Sequence, residues 1–427
     1  MGRVVVGMIG LGTVGEGVVR LFNQQSKIVL KKIAVRHLEK PRLVKLPCAL
    51  TTNVVDLIDD PEIEILIEVM GGEHPALEYI EGALEKRKHI VTANKEVLAK
   101  HGPRLLKIAR DKGLAIFFEA SVAGGIPLIS TISKGLEANR ISSVIGILNG
   151  TTNFILSQME ESGLRYEEAL NQAQKLGFAE GDPTNDVDGH DVGYKLSILS
   201  ALAYQRFVPP EKIVKQGICS ISSLDISQAR EFGYRIKLIG SAERQSNQPL
   251  QVSVYPMFVP LNHTLANVSG PNNGILVRGD AVGEIGMIGP GAGQMPTASA
   301  VVGDTINLAS ALQLPDFATY FQPQIESEWA SVGDGANAEY PFYLRLLVED
   351  SPGVFGKLGT VFGEHQISFH TILQRGAAGG QATIVVLTHS ARNEQMKLAL
   401  KAVQDAGFLR ELQSCIRIFK PRAEHGE

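Results

Sequence analysis

Between Phe178 and Lys195 the chain reads FAEGDPTNDVDGHDVGYK, which sets Glu180, Asp182, Asp186, Asp188 and Asp191 ahead of a single lysine. That lysine does not face a polar stretch; it opens the apolar run KLSILSALAY. Asp191 and Lys195 are four positions apart and share a face if the segment is helical. A lysine kept charged in a partly dry site can polarise a carbonyl oxygen and hand it a proton, and an adjacent aspartate would keep it protonated and oriented. The loop acids Glu180, Asp182 and Asp186 suit a substrate carrying a positive amine. The competing reading is a helix start that attracts acids, with a buried ion pair behind it. His190 falls on a different face and is read as structural.

Two further stretches carry chemistry. GLGTVG, with Gly10, Gly12 and Gly15, follows an apolar strand and opens a helix, the context in which such glycines admit a pyrophosphate to the helix N-terminus. The next strand, IVLKKIAV, ends on Val35 and Arg36 where an acid would read a ribose 2′-hydroxyl. Arg36, followed by Lys40, Arg42 and Lys45, can hold a 2′-phosphate, so NADP(H) is favoured and NAD(H) is the alternative. Basic residues at this place also serve as plain solvated surface. In VTANKEVLAK, Lys95 sits at a strand end, where α/β sheets bind ligands; a snorkelling surface lysine is the equal alternative. GPGAGQMPTA, residues 289–298, is a second glycine loop before a helix, able to close over a cofactor or to serve as an interdomain turn.

The elements that must position these groups follow from periodicity. Strands and helices alternate over residues 1–133, which predicts a Rossmann-type doubly wound parallel sheet and an α/β fold class. Residues 134–297 predict an α+β catalytic domain with an open sheet. A small-residue helix over 298–324 is expected to return to the first domain, and 325–339 is read as a linker. From 340 to 427 the order β-α-β-β-α-β predicts a ferredoxin-like domain, with RGAAGG as a hairpin turn. Ser351 is its expected helix N-cap, with Pro352 as first helical residue.

The whole-chain composition narrows the class. The 427 residues carry a net charge of −4 with no basic stripe, which disfavours nucleic acid and acidic membranes as partners. Cys48, Cys219 and Cys415 are odd in number and far apart, as in a chain of the reducing cytoplasm without disulfides. The N-terminal apolar run is short and breaks into glycines, so it reads as a strand and not a signal peptide; Val6 stands where a myristoylation signal needs Ser or Thr.

Taken together, GLGTVGEGV, TANK, EASVAGGIP, NGTTNFIL, GFAEGDPTNDVDGHDVGYKLSIL and GPGAGQMPTA resemble homoserine dehydrogenase in order and spacing. EDSPGVFGKLGTVF resembles an ACT domain, a small amino-acid-sensing module. The resemblance covers nearly the whole chain and is most specific from Asn149 to Leu199. It implies NAD(P)H-dependent reduction of L-aspartate 4-semialdehyde to L-homoserine by a monofunctional enzyme. It also implies an L-threonine effector on the ACT domain and a homodimer or homotetramer. By the same resemblance Lys195, Asp191 and Lys95 are catalytic, and Glu180, Asp186, Asn149, Gly150 and Thr151 bind substrate. Thr13, Val14, Lys95 and Gly293 contact the cofactor. Glu119, Val122, Gly124 and Ile126 match a monovalent-cation site, for which sodium is the expected ion. Gly181 stands where alanine is common in the family, which loosens the loop and removes no polar group. One rival is aspartate-semialdehyde dehydrogenase, whose thioester chemistry needs a well-placed cysteine; none of the three is so placed. The other is a non-catalytic sensor, which the presence of Lys95, Asp191 and Lys195 disfavours.

Overall fold

The structure, a computed structural model, describes residues 3–24, 28–244, 248–314 and 325–420. Six short apolar segments form the first sheet: β1 (Val4–Ile9), β2 (Ile28–Ala34), β3 (Ala49–Thr51), β4 (Ile65–Glu68), β5 (His89–Thr92) and β6 (Ile116–Phe117). Their order is β3-β2-β1-β4-β5-β6 and every pairing is parallel. Val6, Met8, Ile65, Leu66, Ile67, Ile90 and Val91 have no solvent exposure, as strands covered on both faces require. The strand order reverses between β1 and β4, so the ligand crevice of this doubly wound sheet opens beside Gly10 and the loop after Glu68.

Two strands are shorter than the apolar runs that contain them. The run 62–70 pairs only over Ile65–Glu68, and LAIFFEASV pairs only at Ile116–Phe117 before a 3-10 turn at Glu119–Ser121. There the ladder stops because the Glu119 N–H is donated to the Asp304 carboxylate at 2.7 Å and not to a neighbouring strand.

The second sheet has ten strands. It is built from β7 (Ile141–Ile147), β8 (Val214–Lys215), β9 (Tyr234–Glu243), β10 (Gln251–Pro260), β11 (Asn272–Gly279) and β12 (Gly283–Pro290), together with strands of the C-terminal unit. After a short strand β13 (Glu339–Tyr340), that unit supplies β14 (Phe342–Glu349), β15 (Phe369–Ala378) and β16 (Gln381–Thr388). The short β17 (Ala391–Arg392) precedes its second helix, and β18 (Leu409–Ile418) closes it. Helices Val354–Glu364 and Asn393–Asp405 complete the β-α-β-β-α-β order, with strands arranged β18-β14-β16-β15. Gly379 and Gly380, both at positive φ, form the two-residue turn between β15 and β16. The first helix starts at Val354 behind a left-handed Gly353, so Ser351 and Pro352 form the preceding turn and not the cap and first helical residue.

The C-terminal unit is joined to the rest by main chain as well as side chains. β18 runs parallel to β10, pairing Met257 with Arg417 and Phe258 with Ile418, so the sheet is continuous across both parts. Arg345 on β14 is buried and bonds both oxygens of Asp225 at 3.1 and 3.2 Å, and Tyr343 donates to the same carboxylate at 3.2 Å. Arg417 stacks 3.6 Å from the Tyr255 ring centre.

The helix His190–Tyr204 is apolar on nearly all sides because it is sandwiched between β7, β9 and β10 and the helix Lys95–Asp111. This layering brings the end of β5 over the acidic segment. The helix Gln294–Ala311 packs against the helix Thr13–Phe22, bringing Ala298 up to Gly17. None of the described helices is long and apolar enough to cross a membrane.

Candidate active site

Asp191 and Lys195 sit on the first and second turns of the His190–Tyr204 helix and point the same way, as their spacing predicts. Lys195 Nζ lies 2.7 Å from Asp191 Oδ2, and both side chains are more than nine-tenths buried. Lys95, at the start of the Lys95–Asp111 helix, places its Nζ 2.7 Å from Asp191 Oδ1. Its side chain is partly exposed, and its ammonium is the second cation on one carboxylate. Asn94 caps its helix, accepting the Val97 N–H, and thereby fixes where Lys95 begins.

The third wall is the junction of β7 with the helix Gly150–Ser162. Leu148 O accepts from Lys195 Nζ at 2.6 Å. Asn149 caps the helix through its Oδ1, which accepts the Thr152 N–H, while its Nδ2 donates to Asp191 Oδ2 at 2.9 Å and to Asp186 Oδ1 at 2.7 Å. Gly150 is the first helical residue, and Thr151 donates its hydroxyl to Phe178 O at 2.6 Å, tying the loop that carries Glu180. Glu180 and Asp182 are exposed, and Asp182 accepts from the Thr184 backbone and hydroxyl. Thus Asp186, Asn149, Asp191 and the two lysines form one bonded group, with Glu180 at its rim.

Charge states follow from this packing. Burial alone would push the Asp191 carboxyl up, but Lys195 and Lys95 outweigh it and hold it well below the usual carboxylate range. Asp191 raises Lys95 above its ordinary value and outweighs burial. Lys195 goes the other way, because burial lowers it more than Asp191 restores it. Burial, then the Asp191 charge, raises Asp186. The two lysines therefore differ: Lys95 keeps its proton and Lys195 gives its proton up more readily.

The glycine turn forms the neighbouring crevice. Gly10 adopts φ +99°, a left-handed conformation that few side chains tolerate. At Gly12 a Cβ would meet no protein atom within 4 Å, so the backbone there is open to a ligand. Thr13, Val14 and Gly15 begin the helix that presents its N-terminus to this opening. These residues fit a dinucleotide. Arg36 follows β2 and is exposed at the rim. Arg42 braces the turn, donating to Leu11 O at 2.8 Å and His37 O at 3.0 Å. Gly293 precedes the Gln294–Ala311 helix, in a loop met by the EASVAGGIP segment, where Gly125 N–H donates to Pro290 O at 3.1 Å.

Glu119 is buried, and its carboxylate accepts the N–H groups of Ile129 and Ser130 at 2.7 and 2.9 Å. Burial, and then the Glu119 charge, pushes Asp304 up to about 8. Asp304 accepts the Glu119 backbone N–H at 2.7 Å, which holds this buried acid against the turn at Glu119–Ser121. Among the described residues no cluster of three or more His, Cys, Asp or Glu forms a candidate metal site.

Sequence patterns alone left several contributors unseen. Leu148 acts through its carbonyl and has no side-chain signal. Asn149 stands before Gly-Thr-Thr as helix caps do, yet its two carboxylate partners lie 37 and 42 positions away. Glu68, fully buried at the end of β4, accepts from Thr92 and from Met70 and Gly71, and so shapes the loop at the mouth of the crevice. Cys219 is exposed, with its Sγ 3.7 Å from Asp188 Oδ1, and burial raises the Cys48 and Cys415 thiols to about 11, which leaves neither of those two poised as a nucleophile.

Comparison with known proteins gives one consistent answer. A family model described as homoserine dehydrogenase matches residues 127–306, one described as the NAD binding domain of homoserine dehydrogenase matches 10–119, and an ACT domain model matches 342–408. The homoserine dehydrogenase of Bacillus subtilis is 42% identical over 98% of this chain and 99% of its own. That of Synechocystis is 40% identical over 97% and 99%. The crystal structure of a homoserine dehydrogenase from Thiobacillus denitrificans superposes with a TM-score of 0.92 at 37% identity, covering 98% of each chain.

Proposed function

This chain belongs to the homoserine dehydrogenase family, and from that premise we propose that Lys195, held by Asp191, is the proton donor and acceptor in the interconversion of L-aspartate 4-semialdehyde and L-homoserine. A bound nicotinamide cofactor supplies or accepts the hydride. The chain's own task is the proton. Of the three Lys195 N–H bonds, one goes to Leu148 O and one to Asp191 Oδ2, which leaves one for the substrate oxygen. Its lowered proton affinity favours transfer to a developing alkoxide, whereas Lys95, with its raised affinity, contributes fixed positive charge. Glu180 and Asp186 are positioned to take the substrate ammonium, and the N-terminal amides of Gly150 and Thr151 to take its carboxylate.

The single observation that carries this reading is the one carboxylate of Asp191 gripped by two lysines beside a nucleotide crevice. The test is homoserine-dependent reduction of NADP⁺, with NAD⁺ in parallel. Activity with the wild type that drops about a hundredfold or more in Lys195→Ala supports the assignment; near-normal turnover in that variant sinks it.

The finer assignments rest on local features. Arg36 at the end of β2 supports NADP(H) over NAD(H). The paired carboxyls of Glu119 and Asp304 support a sodium ion held with the carbonyls of Val122, Gly124 and Ile126. A cavity of about 330 Å³ where β14 meets the Val354–Glu364 helix is lined by Glu349, Asp350, Ser351, Gly353 and Gln374, a polar setting suited to an amino-acid effector such as L-threonine. The sheet edge at β12, with Ile288 exposed, supports assembly as a homodimer or homotetramer.

A further inference from the structure

Among the described residues the carbonyl of Leu148 is the main-chain group that accepts from Lys195 Nζ, so the direction of the lysine's free N–H depends on where that carbonyl sits. A second donor reaches the same oxygen. Asn273, on β11, places its Nδ2 3.2 Å from Leu148 O. Its side chain has no solvent exposure, and its Oδ1 is buried with no hydrogen-bond partner among the described residues. An amide buried with its acceptor unused is costly, and among the described residues its bond goes to the carbonyl that anchors Lys195.

Asn273 also meets the second glycine loop. A Cβ on Gly291 would lie 2.1 to 2.2 Å from Cγ, Oδ1 and Nδ2 of Asn273, so the flat amide is seated directly on the Gly291 backbone. Two positions further on is Gly293, where the Gln294–Ala311 helix is about to begin. The neighbouring residue is secured as well: Asn153 donates to Asn272 O and Val268 O, and the buried Lys237 Nζ donates to Asn153 Oδ1 and Val268 O. Asn273 is thus fixed from behind, and its amide lies between the Lys195 anchor and the loop at the cofactor crevice.

We propose that Asn273 is a positioning residue for the proton transfer, setting the Leu148 carbonyl and through it the aim of the third Lys195 N–H. This rests on Lys195 as the proton donor. Asn273 bonds to the Lys195 anchor and not to Glu180 or Asp186, the acids proposed for the substrate ammonium, so its loss should reduce turnover while sparing binding. Leucine has nearly the outline of asparagine and cannot donate. Removing both amide groups also removes the unused acceptor, so Asn273→Leu should melt at or above the wild-type temperature.

The experiment is steady-state homoserine oxidation and thermal melting of the full chain for wild type, Asn273→Leu, Asn273→Ala and Lys195→Ala. The expected result is a tenfold or greater fall in kcat for both Asn273 variants, with KM for homoserine and nucleotide within about twofold and Asn273→Leu as stable as the wild type. If the leucine does not fit against Gly291, the smaller Asn273→Ala reads the same split between kcat and KM. Wild-type kcat in the Asn273 variants, or a loss that appears in KM, overturns the inference. If Lys195→Ala itself retains turnover, the reading beneath it fails; if Lys195→Ala is inactive and the Asn273 variants are normal, only the role of Asn273 is overturned.

Discussion

Lys95 and Lys195 reach opposite oxygens of a single carboxylate, each at 2.7 Å, from two helices that belong to different parts of the chain. Asp191 is therefore a link between the nucleotide-binding and catalytic regions; it raises the proton affinity of both lysines, and the deeper burial of Lys195 is what sets the two apart. With Lys195 as the proposed proton donor and acceptor, reduction of the aldehyde needs it protonated and oxidation of the alcohol needs it neutral. The rate of oxidation should rise with pH through the lysine's lowered pKa and the rate of reduction should fall. Lys195→Arg, which holds its proton at every accessible pH, should remove that dependence along with most turnover. Initial rates in both directions across a pH series check this.

Asp186 shares Asn149 with Asp191 but touches neither lysine in hydrogen-bond range. We propose that it takes the substrate ammonium. Asp186→Asn should raise KM for homoserine tenfold or more and lower kcat less, the pattern of a lost ground-state contact. An unchanged KM measured in saturating nucleotide would remove Asp186 from the substrate site.

Arg36 should affect one cofactor and not the other. Arg36→Ala is expected to raise KM for NADP⁺ about tenfold or more, the scale of a charge-assisted bond to phosphate, and to leave NAD⁺ kinetics near those of the wild type. Equal effects on both cofactors would place the 2′-phosphate elsewhere, and Arg42 would be the next residue to substitute.

His89 predicts a stability change with pH. Burial, aided by Arg87, pushes it down to about 4, and its Nδ1 accepts the Ala115 N–H. The unfolded chain takes up this proton near the ordinary histidine value of about 6.5, before the folded one does. The stabilisation is full above that value and is lost as pH falls from there towards 4. Wild type should therefore lose melting temperature over this range faster than His89→Gln, and parallel curves from calorimetry would refute it.

The Arg345–Asp225 pair is buried and bidentate, so removing one partner strands a charge. Arg345→Ala should lower unfolding free energy by about 3–5 kcal/mol, against under about 1 kcal/mol for breaking the exposed Lys107–Asp111 pair. Urea denaturation of both variants decides between them.

Much of this was legible in sequence because it was local. The strand-glycine-helix pattern gave the nucleotide crevice, alternation gave the C-terminal order, and a spacing of four put Asp191 beside Lys195. The acceptor on Leu148, the brace at Asn273 and the Arg345–Asp225 pair were not legible, since each joins residues about 50 to 125 positions apart and leaves no periodic trace. Lys95 is ambiguous in sequence for the same reason: its ion-pair partner Asp191 is 96 positions away. The shortened strand at Ile116 failed differently, because a tertiary bond from Glu119 overrode a good apolar pattern.

The join between β10 and β18 bears on how this enzyme can be re-engineered. The C-terminal unit is not a cartridge that can be unplugged. Ending the chain before β14 would leave Met257 and Phe258 at a raw sheet margin, an invitation to pair with strangers. An exchange of this unit for another would have to carry β10 along with β18 as a matched pair, or redesign the seam between them.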